Sequence, residues 1–163
     1  MKTSELPIIG WREWLALPEL GIDKLRCKVD TGAKTSALHA FYVEPFEKDG
    51  TPMVRFGLHP DEKSTDIEQH CEAAILDQRS VTDSGGHVEQ RYVIQTRIVL
   101  GYESWPIQIT LTNRDTMKHR MLLGRAAIMD NFLVDSGAQH LMGKPAPIPK
   151  ARSLLSRLHD EEE

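Results

Sequence analysis

Cysteine is nearly missing from this chain: Cys27 and Cys71 are the only two among 163 residues. Two thiols make no disulfide framework, and Cys27 lies on the apolar side of a strand-like run, so buried free thiols are expected. A surplus of one charge is missing too. The net charge of −4 equals the four acidic residues Asp160, Glu161, Glu162 and Glu163, so the chain before them is balanced. That balance argues against a nucleic-acid binder working by phosphate neutralisation. No apolar run approaches the roughly 20 residues that span a bilayer, and the stretch from Met1 to Pro7 lacks the apolar core of a secretory signal. The expectation is a cytoplasmic protein with neither membrane nor nucleic acid as a partner. There is no His-Glu-x-x-His pair, and the seven histidines show no close ligand spacing. No metal ligand is assigned. Nor is there a glycine-rich phosphate loop, so no cofactor is expected.

Apolar residues make up 40% of the chain, enough for one domain with a real core. Their spacing is that of strands. Leu25, Cys27 and Val29 alternate with Arg26, Lys28 and Asp30, the two-residue period of a strand with one buried face. An apolar stretch from Ile8 closes at Pro18 and Gly21, and further strands are expected over Ala37–Val43, Met53–His59 and Cys71–Gln78. In the long run after Val88, the residues Val88, Tyr92, Ile94, Ile98 and Leu100 share one parity, and Glu89, Arg91, Gln95 and Arg97 the other. Trp105, Ile107, Ile109 and Leu111 alternate with Pro106, Gln108, Thr110 and Thr112, which predicts a hairpin partner for that run. Asp83, Ser84, Gly85 and Gly86 form a strong turn signal, and Pro60–Gln69 reads as a polar loop. The fold class is all-β. Residues 1–143 form the domain. Residues 144–163, with Pro145, Pro147 and Pro149, an amphipathic Arg152–Leu158 segment and the acidic end, read as a mobile linker and tail.

The chemistry centres on Val29-Asp30-Thr31-Gly32-Ala33, where a strand ends on a carboxylate and glycine turns the chain. A second stretch, Met121-Leu122-Leu123-Gly124-Arg125, leads into the helix-compatible run Ala126–Asn131. In this order the two stretches resemble the retroviral-type aspartic peptidases, with their D-[ST]-G-A turn and later apolar-apolar-Gly-Arg segment. Lys28 to Ala40 and Leu111 to Arg125 look more closely like the RimB-type bacterial retropepsin-like peptidases, also described as ATP-dependent zinc proteases. The resemblance runs from about Ile8 to Asp135. It implies a retropepsin-like closed barrel with one short C-terminal helix, and an aspartic peptidase working as a homodimer. Asp30 of each chain would form the catalytic pair, braced by Thr31 and Gly32, with Gly124 and Arg125 supporting the turn from behind. Two carboxylates about 4 Å apart repel by roughly 4 kcal/mol at an effective dielectric near 20, so they would share one proton and act as acid and base together.

The hairpin tipped by Ser84, Gly85 and Gly86 falls where such enzymes carry a mobile cover over bound peptide. With Ala33, Lys34, Arg91 and Arg114 it is the expected substrate-binding set. Lys34, Arg91, Arg114, Lys118, His119 and Arg120 suggest a preference for acidic peptides, since cationic side chains bind carboxylates by charge-assisted hydrogen bonds. The family adds a substrate: glutamate tails placed on a ribosomal protein by an ATP-grasp glutamate ligase. One departure stands out. Retroviral enzymes follow their D-T-G-A with an acid that can pair with the arginine, whereas this chain has Lys34, so Arg125 must find another partner.

Two alternatives belong to other classes. The chain could be a non-catalytic retropepsin-like module for peptide binding or dimerisation, or a zinc-dependent protease. Asp135-Ser136-Gly137-Ala138, after Phe132-Leu133-Val134, imitates the catalytic turn but reads as a structural turn at the end of the C-terminal strand, its likeness a coincidence.

Overall fold

A computed structural model describes residues 5–83, 85–113 and 118–145. Ser84, Arg114, the Arg152–Leu158 segment and the acidic end lie outside the described residues. Strand β1 (Ile8–Leu17) passes through a 3-10 turn at Pro18–Leu20 and returns as β2 (Ile22–Asp30). Gly21 makes that return possible by taking the left-handed conformation, φ +75°, where its N–H donates to the Pro18 carbonyl at 3.1 Å.

A ring of six strands follows from the pairings. β2 runs parallel to β10 (Met121–Gly124), which pairs with β3 (Ser36–His39); β3 runs parallel to β9 (Glu103–Thr112), and β9 pairs with β8 (Val88–Leu100). β8 then meets β1 at Val99 opposite Ala16, so the sheet closes on itself. Closure removes the exposed edges an open sheet would leave. β7 (Asp77–Thr82) is added outside β8, and β11 (Leu133–Gln139) outside β1, while β4 (Tyr42–Lys48), β5 (Thr51–Leu58) and β6 (Gln69–Ala74) make a second, three-stranded sheet. The one helix among the described residues, α1 (Arg125–Ile128), is a single turn. The architecture is therefore the expected all-β near-barrel with one short helix.

The ring encloses Ile9, Leu15, Leu25, Leu38, Ile94, Ile98, Ile109, Met121 and Leu123, all buried, each worth roughly 1.5–3 kcal/mol in burial. Cys27 lies among them and Cys71 under the second sheet, both buried free thiols. Burial pushes each of them up to about 12.

Three expectations are corrected. The run Ala37–Val43 is not one strand: Ala40 donates to the Thr112 carbonyl at 2.9 Å and Phe41 to the Gly57 carbonyl at 2.9 Å. Consecutive amides thus bond to different sheets, and the chain crosses between them there. Cys71–Gln78 divides in the same way, Ile75 donating to Pro52 at 3.0 Å and Leu76 to Val93 at 2.8 Å. Finally, the long strand does not keep one inward parity. In β8, Arg91 and Val93 are buried in the first half and Ile94, Thr96, Ile98 and Leu100 in the second, leaving Val88 65% exposed. The first half pairs with β7 in a projecting hairpin and the second is barrel wall, so the face that needs covering changes at Val93–Ile94. For the same reason Thr110 and Thr112, on the parity expected to face water, are buried beneath that hairpin.

Candidate active site

Asp30 is the last residue of β2, half-buried, and its turn is held from several sides. Its Oδ1 accepts the Gly32 N–H at 3.0 Å and its carbonyl accepts the Ala33 N–H at 3.2 Å. Gly124 lies opposite Asp30 on the parallel strand β10. The Gly124 N–H donates to the buried Ser36 hydroxyl at 2.9 Å, and a Cβ there would come within 2.6 Å of the Thr35 backbone. Only glycine lets these backbones meet. The next residues lace the turn to the helix: Arg125 N–H donates to Ala33 O at 2.7 Å and Ala126 N–H to Lys34 O at 2.9 Å. The partner of the Arg125 guanidinium is a backbone group, the Thr31 carbonyl at 2.8 Å from Nη1. Lys34 in place of an acid is thereby accommodated, since the arginine grips the turn directly.

Asp30 opens on a cleft of about 810 Å³ whose wall includes Gly32, Ala33, Thr35 and Leu122 on one side and Val81, Asp83, Gly85 and His87 of the β7–β8 hairpin on the other. Asp83 Oδ1 accepts the N–H groups of Gly85 and His87, each at 2.9 Å, and Gly86 adopts φ +86°. Arg91 lies in the cleft wall, 8% exposed. It is not a free surface cation: Nε donates to Glu89 at 2.8 Å and Nη1 to Thr110 at 3.3 Å, while the Thr112 hydroxyl donates to Glu89 at 3.0 Å.

The expected set is thus partly gathered. Asp30, Gly32, Ala33, Gly85 and Arg91 share the cleft, and Gly124 and Arg125 stand behind the turn. Thr31 is exposed beside them, and Gly86, at the hairpin tip, is exposed. Lys34 opens instead on a neighbouring cavity of about 510 Å³ with Arg79 and Trp105. His119 is packed edge-on against Trp11, and Arg120 donates to the Asp61 carbonyl, so this pair does not line the cleft. Asp83, His87 and Thr112 line the cleft and Glu89 braces it without belonging to the expected site set. Thr112 could have been found from its place on the same strand as buried Ile109 and Leu111; Asp83 and His87 were signalled only by flanking the glycine turn.

The Asp135 segment is not a turn at the end of a strand but a bulge inside β11, and its likeness to the Asp30 turn extends to its pairing. β1 lies parallel to it with Ile9 opposite Val134 and Gly10 opposite Asp135, just as Leu123 lies opposite Val29 and Gly124 opposite Asp30. Asp135 Oδ1 accepts the Gly137 N–H at 3.0 Å. Gly10 donates to a buried side chain, the Glu13 carboxylate at 2.7 Å, and a Cβ on it would overlap the Ala138 carbonyl. Coincidence of sequence does not account for a shared register. Asp135 is nonetheless exposed and does not line the Asp30 cleft.

Among the described residues no three His, Cys, Asp or Glu side chains converge to hold a metal ion, so the zinc alternative finds no donor set there. The comparisons point the same way as the geometry. Residues 8–145 match the family model described as RimB-like, retropepsin-like aspartic endopeptidase RimB. Over 137 residues, 84% of this chain, it is 44% identical to a probable alpha-L-glutamate ligase of Shewanella halifaxensis (strain HAW-EB4). It is 46% identical over 136 residues to a protein of the same description from Parasynechococcus marenigrum (strain WH8102). The chain spans only about 30% of the length of these relatives. A crystal structure of a Legionella pneumophila (strain Philadelphia 1) protein of unknown function, from the group DUF785, superposes with TM-score 0.71 at 30% identity, covering 83% of this chain and 98% of that one. The chain belongs to the RimB-like family of retropepsin-like aspartic endopeptidases.

Proposed function

We propose that the chain cleaves acidic, glutamate-extended peptide tails of a ribosomal protein, using a dyad completed by Asp30 of a second copy, in the cytoplasm and in concert with an ATP-grasp glutamate ligase. The observation that carries this reading is Asp30 itself: a carboxylate fixed at a strand end, braced by Gly124 and Arg125, at the edge of a cleft covered by a hairpin. One carboxylate cannot take and give a proton in the same instant, and the described residues put no second acid beside it on an equivalent turn. A two-fold partner supplies one. The ionised member then removes a proton from water as the oxygen attacks the amide carbon, while the protonated member donates to the carbonyl oxygen. Collapse of the tetrahedral intermediate expels the amine, which leaves with a proton from the dyad.

The substrate class rests on two supports. Relatives that share this domain are described as glutamate ligases, and a hydrolase attached to a ligase is suited to trimming what the ligase adds. Arg91 in the cleft wall uses two of its five N–H groups on Glu89 and Thr110, leaving others for a substrate carboxylate.

The test is mass spectrometry of a poly-glutamate-tailed protein incubated with the wild type, with Asp30→Asn, and with wild type plus a chelator. Tails that shorten with the wild type and with chelator, but not with Asp30→Asn, are the expected result. Shortening that survives Asp30→Asn and stops on chelation overturns the aspartic mechanism. Tails left intact in every arm, with the dimer verified by sedimentation, favour the peptide-binding module.

A further inference from the structure

The strand that delivers Asp30 has a second property. Leu25, Cys27 and Val29 are buried in the core, so Lys24, Arg26, Lys28 and Asp30 stand together on the opposite face. At about 3.3 Å per residue, Lys28 is about 7 Å from Asp30 along the strand and Lys24 about 20 Å. β1 widens this row, with Arg12 opposite Lys28 and Trp14 opposite Arg26. The Trp14 ring collects three cations, Arg26 at 5.4 Å, Lys24 at 5.5 Å and Lys144 at 5.5 Å, and Arg12 lies 4.7 Å over Trp11.

Asp23, Asp61 and Glu62 share a cavity with Lys24, Arg26 and Trp14 at the far end of the row, so the charge is offset there in part and least around Lys28. Arg26 is tied to Glu62, while Arg12 bonds the neutral amide oxygen of Gln139. Lys24, Lys28 and Lys144 make no ion pair among the described residues. Glu13, the next residue of β1, is turned inward and its carboxylate is consumed by the N–H groups of Gly10, Leu141 and Met142 at 2.7, 2.8 and 3.1 Å. Like charges directly opposite across an antiparallel pair are unfavourable, so folding alone gives no reason for Arg12 to face Lys28. His119 and His140, packed on Trp11 and Trp14, are both held below the ordinary histidine range, first by burial and then by the Arg12 and Arg26 charges, Glu62 opposing.

We infer that this face of β1 and β2 is a track that binds a run of carboxylates, an acidic peptide, and carries it along Lys24 and Lys28, with Arg12 beside them, to the Asp30 cleft. The inference deepens the proposed function and rests on it for the substrate class. A peptide fits better than a nucleic acid for two reasons. An extended chain of glutamates presents alternate carboxylates on the same two-residue period as the cations of β2, and the chain before residue 160 carries no net positive charge to attract a long polyphosphate. In this arrangement the cleft reads the residues at the cut and the track holds the rest of the tail, so affinity grows with tail length.

Fluorescence anisotropy of a dye-labelled peptide of about ten glutamates, long enough for the ~20 Å row, tests this on full-length Asp30→Asn protein, which holds the peptide uncut. Adding Lys24→Gln and Lys28→Gln together should weaken binding about tenfold, since each exposed pair contributes modestly and the two add. Lys24→Arg with Lys28→Arg should restore it, and raised salt should weaken binding to the parent more than to the Gln pair. In turnover with Asp30 intact, the Gln pair should raise KM for the long tail by the same factor with kcat held. Equal affinity of the Gln pair and its parent, or tighter binding of a ten-nucleotide RNA than of the glutamate peptide, overturns the track. Should the wild type cleave no tail while lysine-dependent binding persists, the peptidase reading falls and the track stands. Melting curves identify a poorly folded Gln pair, in which case single Lys24→Gln at the far end of the row takes its place with the same criteria.

Discussion

Asp30 and Asp135 each follow a valine, each accept the N–H of the glycine two residues on at 3.0 Å, and each stand opposite a glycine of a parallel strand. Behind each, that glycine donates its own N–H to a buried side chain, Ser36 in one case and Glu13 in the other. The surroundings differ. At Asp30 the strand stops, an arginine grips the turn, and a hairpin covers the space in front. At Asp135 the chain bulges over three residues and resumes pairing at Gln139 opposite Arg12, leaving the carboxylate in water. The same local motif therefore serves as a structural join in one place and as a candidate catalytic group in the other. The carboxylate's neighbourhood, rather than its turn, carries the chemistry.

The comparison breaks most sharply on activity. Asp30→Asn is expected to lower turnover of a glutamate-tailed substrate at least about a thousandfold, and Asp135→Asn to change it less than about twofold, both followed by mass spectrometry. Equal losses would make Asp135 a partner in the reaction. The next test concerns the two glycines. Gly10→Ala and Gly124→Ala each push a methyl into backbone, so each should lower stability by about 2–4 kcal/mol in urea unfolding. Only Gly124→Ala should also lower kcat once the remaining folded fraction is counted.

The acceptors behind the glycines give a smaller effect. Glu13→Gln leaves three backbone N–H groups sharing a single oxygen and should cost about 2–3 kcal/mol, whereas Ser36→Ala removes one acceptor and should cost about 1–2 kcal/mol. The pH effects come last because they act only outside the neutral range, and they belong to the shared frame. Cys27 and Cys71 are kept as neutral thiols, pushed up from 9.0 to about 12. Their stabilisation is complete below pH 9 and declines as the pH rises towards 12. His119 and His140 are held below 6.5, so an unfolded chain takes up their protons first and stability falls as the pH drops beneath that value. Melting temperature followed across pH should show both limbs, and Cys27→Ala should flatten the alkaline one.

The strand alternation, the order of the elements and the Asp30 turn were legible because period and glycine placement are local properties. The register of Gly124 against Asp30 was reached only through resemblance, as the two lie more than ninety positions apart in sequence. Alternation misled where a residue's two faces have different neighbours along the strand. Arg91 and Thr112 look like surface residues by type and parity, yet the hairpin folds them under. The breaks at Ala40–Phe41 and Ile75–Leu76 left no mark in composition, because crossing between sheets needs only that adjacent amides find carbonyls on different strands. The kinship of Asp135 with Asp30 was visible as letters, but its meaning depended on pairing with Gly10.

The change of face in β8 at Val93–Ile94 divides one strand into two kinetic regimes. Residues 94–100 are wall of a closed ring with β9 on one side and β1 near its end, and their amides open only when the ring opens. The backbone of residues 88–92 pairs with β7 alone, itself an edge, and only the Glu89 and Arg91 side chains reach β9, so these amides open on a shorter timescale. In the proposed reaction, a peptide would enter the cleft on the fraying of this two-stranded ribbon rather than on any loosening of the barrel. Hydrogen exchange should divide this single strand into fast and slow amides at residue 93.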